Sequence, residues 1–150
     1  CIRDRSTRLH SQLDFGPTSA SAKVAGREKV RLNPIDAARL GLADGDVVRL
    51  ENEIGACLAG VELSTCIREG VAHLQTGAWF DPQPDPEGTA RIFCAHGTAN
   101  VLTPDKGTSQ LTLGCTGQVG RVAIRRWNGP IPPVRAFDPP PFVTPEPREP

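Results

Sequence analysis

Within TRLHSQLD, residues 7–14, a histidine, a serine and a glutamine follow one another between two leucines. A histidine beside a serine suggests a nucleophile and its general base, but the geometry speaks against that pairing. On an extended chain neighbouring side chains point to opposite faces, so His10 diverges from Ser11 and shares a side with Gln12. A nucleophile and its base must come within hydrogen-bond reach, usually from distant parts of a chain. Ser11 is therefore a poor nucleophile, and no catalytic residue is assigned. What the row offers is a set of neutral donors and acceptors suited to a polar ring or a phosphate ester. A polar turn that caps its own backbone accounts for it equally well. The second candidate is Cys94 with His96, a pair with metal-ligand spacing. No C-x-x-C accompanies it and the chain has only 3 histidines, so no metal site is assigned.

The elements that must position such residues are constrained first by size and charge. A chain of 150 residues is expected to form one domain with a true core. Its 17 basic and 17 acidic residues give no net charge and no basic block, which excludes nucleic acid as the main partner. No apolar run is long enough to span a membrane and no signal-peptide pattern opens the chain, so a soluble domain is expected. Methionine is absent and Cys1 comes first, which implies a piece of a longer chain or a processed product. The 5 cysteines are odd in number and widely spaced, which favours reduced thiols in a core over a disulfide framework.

Residues 1–27 read as polar and irregular, ending in the turn-like AGRE. EKVRL then reads as a strand and NPIDAARLG as a short helix, with Asn33 as cap, Pro34 at the first position, Asp36 at the positive end and Gly41 as the stop. Ile35, Ala38 and Leu42 are expected to face the core. VVRLE and ACLAGVELS, joined by NEIG, form a hairpin signal. EGVAHLQTGAW and GRVAIRRW supply further strands, and a short helical piece is expected near DKGTSQL. Apolar residues on both faces of runs such as ACLAGVEL favour a closed barrel over a half-exposed sheet. Trp79 and Phe80, as large aromatics, are expected in the core. From Asn128 the segment NGPIPPVRAFDPPPFVTPEPREP is too rich in proline for sheet or helix. It is expected to be a tail, disordered or laid extended over a partner domain, so that the domain occupies 1–127 and the tail 128–150.

Four blocks in order, RLHSQLD, GREKVRLNPIDAARLGLADGDVVRLENEIGACLAG, GAWFDP and CAHGTANVLTPDKGTSQLTLGCTGQ, carry a resemblance over residues 8–127. The chain resembles the C-terminal, molybdopterin-dinucleotide-binding domain of the dimethyl-sulfoxide-reductase family, within it the biotin sulfoxide reductase and trimethylamine N-oxide reductase types. The resemblance implies a mainly β fold, a six-stranded double-psi β-barrel with short helices. It implies the cofactor molybdenum bis(molybdopterin guanine dinucleotide), held by Arg8, Leu9, His10, Ser11, Gln12, Asn100 and Gln118. A pterin edge presents amine, ring N–H and carbonyl groups, which neutral His, Ser, Gln and Asn side chains pair without burying an unpaired charge. Arg8 suits a pyrophosphate.

Read without the resemblance, Arg8 is a solvated surface arginine, Asn100 a turn former and Gln118 an exposed loop residue. The chain also departs from the family pattern. Thr98 and Ala99 stand where Asn-Pro is common, which implies a less rigid approach to Asn100; Phe80 replaces a frequent tyrosine and Leu113 a glutamine.

The resemblance further implies that the metal ligand and the substrate funnel lie on other domains of the enzyme, which are this chain's partners. A small S-oxide or N-oxide would be the substrate of the whole, and neither nucleic acid nor membrane is a partner. The isolated chain is then inactive, and a cytoplasmic location is expected, with the periplasm as the alternative. Two other readings stay open: a small cofactor-binding subunit of another molybdenum or tungsten enzyme, and a cofactor-free double-psi-barrel interaction module.

Overall fold

The computed structural model describes residues 11–104, 106, 107, 109, 111 and 120–140. In chain order they form helix α1 (Pro17–Ser21), strand β1 (Lys29–Leu32), helix α2 (Pro34–Arg39), strands β2 (Val47–Glu51), β3 (Ala56–Leu63), β4 (Ala72–Leu74) and β5 (Phe93–Cys94), a 3-10 turn (Ala99–Leu102) and strand β6 (Ala123–Arg126). The strands make one six-stranded sheet in the order β4-β1-β3-β2-β6, with β5 also on β3. The sheet is curled into a half-barrel, mainly β with few short helices.

Strand β3 is the hub. Along one edge it pairs antiparallel with β2, Val47 opposite Gly60 and Glu51 opposite Ala56. Along the other edge it pairs parallel with β1 near its end and with β5 near its start. The hairpin expected at NEIG is closed by Asn52, whose backbone N–H donates to Gly55 O (3.0 Å) and whose Oδ1 accepts from Ile54 and Gly55 N–H.

Both faces of the hub are covered, as ACLAGVEL suggests. Strand periodicity sends Cys57, Ala59 and Val61 into one apolar cluster with Val30, Leu32, Val48 and Leu50, and Ala56 and Leu58 into a second with Val47, Phe93 and Trp127. Cys57 and Cys94 are free buried thiols, and burial pushes the Cys57 thiol upward; Cys66 is free but exposed, not in the core.

Two glycines permit the curl. A Cβ on Gly60 would lie 2.1 Å from the Val24 Cβ, where the turn bridged by Val24 and Arg27 packs over the hub. Gly97, at φ +96°, sits against the Leu58 carbonyl and Glu28.

Helix α2 is capped as its sequence implies: the Asn33 side chain accepts from Ile35 N–H (2.9 Å), Pro34 opens the helix and Asp36 lies in its first turn. Its core-facing residues differ from the expectation. Ala37 and Leu42 are buried, whereas Ile35 is 48% exposed and Ala38 is exposed too. The cause is the helix end, where Gly41 at φ +66° donates to Ala38 O and Leu42 N–H turns back to Ala37 O. This reversal folds Leu42 over Ala37 and overrides the simple helical stripe.

Other expectations are also revised. The run EGVAHLQTGAW yields only the three-residue β4, and α1 interrupts the stretch 1–27 that reads as irregular. Of the stretch DKGTSQL, where a helical piece is expected, residues 106, 107, 109 and 111 are described and none of them is helical; the others lie outside the described residues. No helix among the described residues is long and apolar enough to cross a membrane.

The described part of the proline-rich segment has no helix or strand, turns where Asp138 N–H donates to Arg135 O (3.0 Å), and lies on this domain's own surface. Trp127 Nε1–H donates to Pro130 O (3.1 Å), Arg27 to Pro132 O and Gln83 Nε2 to Pro133 O (2.7 Å), while Arg135 N–H donates to Asp81 (2.9 Å).

The Gly60 contact generates a test. Gly60→Ala is expected to destabilise the domain by about 1–3 kcal/mol through overpacking, read from the urea midpoint. Adding Val24→Gly in the same chain is expected to recover part of that loss.

Candidate functional site

The candidate site is built on Asp14, the residue that closes TRLHSQLD. Its side chain is 0% exposed. One carboxylate oxygen accepts from Ser19 Oγ–H (3.1 Å) and Lys23 Nζ (2.8 Å), and the other from the backbone N–H of Trp79 (2.9 Å). Lys23, with a side chain 3% exposed, also lies 3.8 Å from Glu28. A buried carboxylate is tolerated only when paired and hydrogen-bonded, and the donors that meet this need come from α1, from the chain before β1 and from the loop after β4.

Trp79 is the junction of the site. Its indole Nε1–H donates to the Ser11 carbonyl (2.7 Å). Its own carbonyl accepts from His96 Nδ1–H (2.9 Å). Through this single residue RLHSQLD is tied to GAWFDP and to CAHGTAN. Trp79 is 36% exposed and Phe80 52% exposed, so neither belongs to the core as expected. The reason is that the indole is held at the surface: its N–H is spent on Ser11, and its ring lies between Phe15 (centroids 5.7 Å apart) and Phe137 (5.3 Å). Aromatic pairs of this tilted kind are attractive without full burial.

His96 is wholly buried beneath Phe137, whose ring meets the imidazole edge-on at 5.0 Å. With the proton on Nδ1, donated to Trp79, Nε2 is a buried acceptor without a hydrogen-bond partner among the described residues. Burial lowers the His96 pKa below its usual 6.5, with Lys23 adding to the effect and Asp14 and Glu28 opposing it. The imidazole is thus neutral at neutral pH. Among the described residues no group of three His, Cys, Asp or Glu side chains could hold a metal.

The residues expected to bind stand on this frame. Ser11 and Gln12 are exposed at the turn before Asp14, and Leu13 takes a left-handed φ of +59° that Gly16 N–H supports by donating to Leu13 O (2.8 Å). Asn100 is exposed in the 3-10 turn that begins three residues after His96, closed by Thr103 Oγ1–H to Ala99 O (3.0 Å). The side chains of Ser11, Gln12 and Asn100 make no hydrogen bond among the described residues, and all three residues are exposed. Arg8, Leu9, His10 and Gln118 lie outside the described residues.

Sequence reasoning missed Asp14, Lys23 and Phe137, and considered His96 only as a metal ligand. Asp14 stood within the quoted block, but an acidic residue after a polar row carries no signal of burial.

A second polar cluster is structural. Arg49 on β2 is buried and donates to both oxygens of Asp85 (2.6 and 3.0 Å), to Glu51 (2.6 Å) and to Thr89 (2.9 Å), with its guanidinium over Phe93. Asp85 also accepts from the backbone N–H groups of Glu87, Thr89 and Ala90, so the loop before β5 is clamped to the sheet. The guanidinium and these N–H groups hold the Asp85 carboxyl well below the usual range.

Comparison with known proteins bears on the whole chain. The family model described as "Molydopterin dinucleotide binding domain" matches residues 2–118. The chain is 42% identical over 134 residues to trimethylamine-N-oxide reductase of Salmonella typhi, covering 89% of this chain and 16% of that protein. It is 43% identical over 134 residues to trimethylamine-N-oxide reductase 1 of Escherichia coli O157:H7, with the same coverage. It is 39% identical over 135 residues to dimethyl sulfoxide/trimethylamine N-oxide reductase of Cereibacter sphaeroides. The chain thus spans 16% of the length of these relatives. Acetylene hydratase from Pelobacter acetylenicus shares the fold, with a TM-score of 0.57 at 16% identity over 81% of this chain and 16% of that one.

Two tests follow from this geometry. Asp14→Ala leaves the Lys23 ammonium buried without its nearest carboxylate and is expected to cost about 3–5 kcal/mol, measured by urea unfolding. For His96 the folded pKa lies below the unfolded one, so between the two the unfolded state binds more protons and stability rises with pH. Stability from this group is complete above the ordinary value of 6.5 and is lost as pH falls below it, by at most about 1.4 kcal/mol per pH unit. His96→Asn is expected to flatten that slope when urea midpoints are compared from about pH 8 down to about pH 5.

Proposed function

Because this chain belongs to the molybdopterin dinucleotide binding domain family, we propose that it serves as the C-terminal cofactor-binding domain of an S-oxide or N-oxide reductase-type molybdenum oxidoreductase. Its task in that enzyme is to bind and orient molybdenum bis(molybdopterin guanine dinucleotide). The observation that carries this reading is the set of uncharged, exposed side chains Ser11, Gln12 and Asn100 on a frame fixed by Asp14, Trp79 and His96.

The residues present fit the group. A pterin or guanine edge alternates donors and acceptors, and a hydroxyl with two carboxamides can match either role at each position. Neutral partners also avoid leaving a charge unpaired once the interface closes over them. We assign the same role to His10 and Gln118, a backbone role to Leu9 and a pyrophosphate contact to Arg8.

When bound, the molybdenum centre supplies two-electron oxygen-atom transfer chemistry. The domain's own contribution is positional: Ser11, Gln12 and Asn100 hold the ring edges. The metal ligand and the substrate funnel belong to other domains of the enzyme, which are the partners of this one. The curled sheet corresponds, in this reading, to a six-stranded double-psi β-barrel ending near residue 127, with 128–150 as an appended tail. The cytoplasm is the proposed compartment.

The test uses the complete polypeptide and measures molybdenum and releasable guanine nucleotide per chain. Asn100→Ala is expected to lower both, with the unfolding midpoint little changed, because losing one partner of a buried polar pair costs about 1–3 kcal/mol at the site. Ser11→Ala is expected to reduce turnover per bound molybdenum by about tenfold at most. A fall beyond about a thousandfold with molybdenum retained would instead make Ser11 a nucleophile.

A further inference from the structure

The segment after Trp127 lies beyond the 2–118 match to the family, and its proline content suggests a dispensable tail. Its contacts are not those of a loose end. Four side chains of the domain or its own backbone fasten it in sequence: Trp127 holds the Pro130 carbonyl, Arg27 that of Pro132, Gln83 that of Pro133, and buried Asp81 accepts the N–H of Arg135. Prolines suit this use, since an extended chain that makes no internal hydrogen bonds leaves its carbonyls free for outside donors.

The fastening delivers one ring, Phe137, to one place. Phe137 meets Trp79 edge-on at 5.3 Å and His96 edge-on at 5.0 Å, and Lys23 Nζ lies 5.9 Å from its centroid. Those three residues are among the ones through which Asp14 and Ser11 are held: Lys23 pairs with Asp14, Trp79 bonds both Ser11 O and Asp14, and His96 bonds the Trp79 carbonyl. The turn they hold includes Leu13 in a left-handed conformation that a leucine rarely adopts, so it persists only while its surroundings enforce it.

We infer that residues 130–137 are a positioning strap, which through the Phe137 ring on Trp79 and His96 fixes the Ser11–Asp14 turn in its binding geometry. Phe137 touches no cofactor in this scheme; it is a positioning residue that acts through Trp79. The inference rests on the reading that Ser11 and Gln12 contact the dinucleotide cofactor. It adds that retention of that cofactor depends on a segment beyond the 2–118 match to the family model.

The strap should matter little to the sheet. Its ring contacts fall on Trp79, His96 and Lys23, none of which belongs to the two apolar clusters that cover the β2–β3 hub. A positioning role therefore predicts a separation between two readouts that a merely structural role would move together.

The experiment uses the complete polypeptide, as wild type and as Phe137→Ala and Phe137→Tyr. Three quantities are measured: molybdenum and releasable guanine nucleotide per chain during dialysis, amide hydrogen exchange at Gly16 and Trp79, and exchange in β2 and β3. In Phe137→Ala, cofactor loss is expected to quicken by about tenfold, the factor that two ring pairs of ordinary strength supply together. Exchange at the Gly16 and Trp79 amides is expected to accelerate while β2 and β3 stay protected, and Phe137→Tyr is expected to restore both.

If Phe137→Ala keeps cofactor and slow exchange at Gly16 and Trp79, the strap does not position the turn. If β2 and β3 lose protection together with the turn, Phe137 is a structural residue and the inference fails. If the wild type carries neither molybdenum nor guanine nucleotide, the functional reading itself fails and takes the inference with it. Wild-type cofactor content thus separates the two failures.

Discussion

A carboxylate taken wholly out of water must be surrounded by donors, and around Asp14 that requirement organises one whole side of the domain. Ser19 brings α1 to it, Lys23 the approach to β1, and Trp79 the loop after β4. Because the penalty for an unpaired buried charge is several kcal/mol or more, these three pieces cannot separate without a large loss. Once Trp79 is pinned by its backbone N–H, its indole N–H and its carbonyl are left at fixed positions, and these engage Ser11 and His96. The end of that polar row, Ser11 to Asp14, is thereby fixed in place by contacts remote in the chain.

The sheet itself is held by a different device. Arg49 is as deeply buried as Asp14, but it lies within a strand and reaches outward to Asp85 and Glu51. Of its partners Asp85 and Thr89 are on the loop 81–90 that precedes β5, so these contacts set where β5 can meet β3. The two buried charges divide the work. Arg49 closes the sheet with a two-pronged guanidinium contact, whose planar geometry fixes direction. Asp14 gathers backbone and side-chain donors, whose directions are free to suit the turn they build.

The aromatic residues follow from this division. Phe93 and Trp127 are buried in the cluster under Arg49, where they serve packing. Phe15, Trp79 and Phe137 are only half covered, and Trp79 meets Phe15 at a tilt and Phe137 edge to face, near the exposed neutral side chains of Ser11 and Gln12. A surface of this composition, half apolar and half neutral polar, is of the kind that a larger molecule or a neighbouring domain covers. Its residues come from three parts of the chain, of which the last lies past residue 130.

The sequence by itself determined what depends on near neighbours along the chain. Asn33 followed by Pro34 caps and opens α2, Asn52 and Gly55 close the hairpin, and apolar residues on both faces of ACLAGVEL demand cover on both sides; each was legible because its cause lies within a few residues. The family likeness was legible for a related reason, since ordered blocks of residue types survive as a pattern whatever packs around them. Tertiary structure alone decided that Ala37 rather than Ile35 enters the core, that Trp79 stays at the surface, and that a proline-rich end lies over His96. It also decided that Asp14 is an anchor and not a solvated acid. In each case the deciding partner is remote: Trp79 N–H is 65 residues from Asp14, and Pro132 is 105 from Arg27. Burial and pairing are properties of the enclosure, and an acid or a ring carries no mark in the chain of which enclosure it will meet.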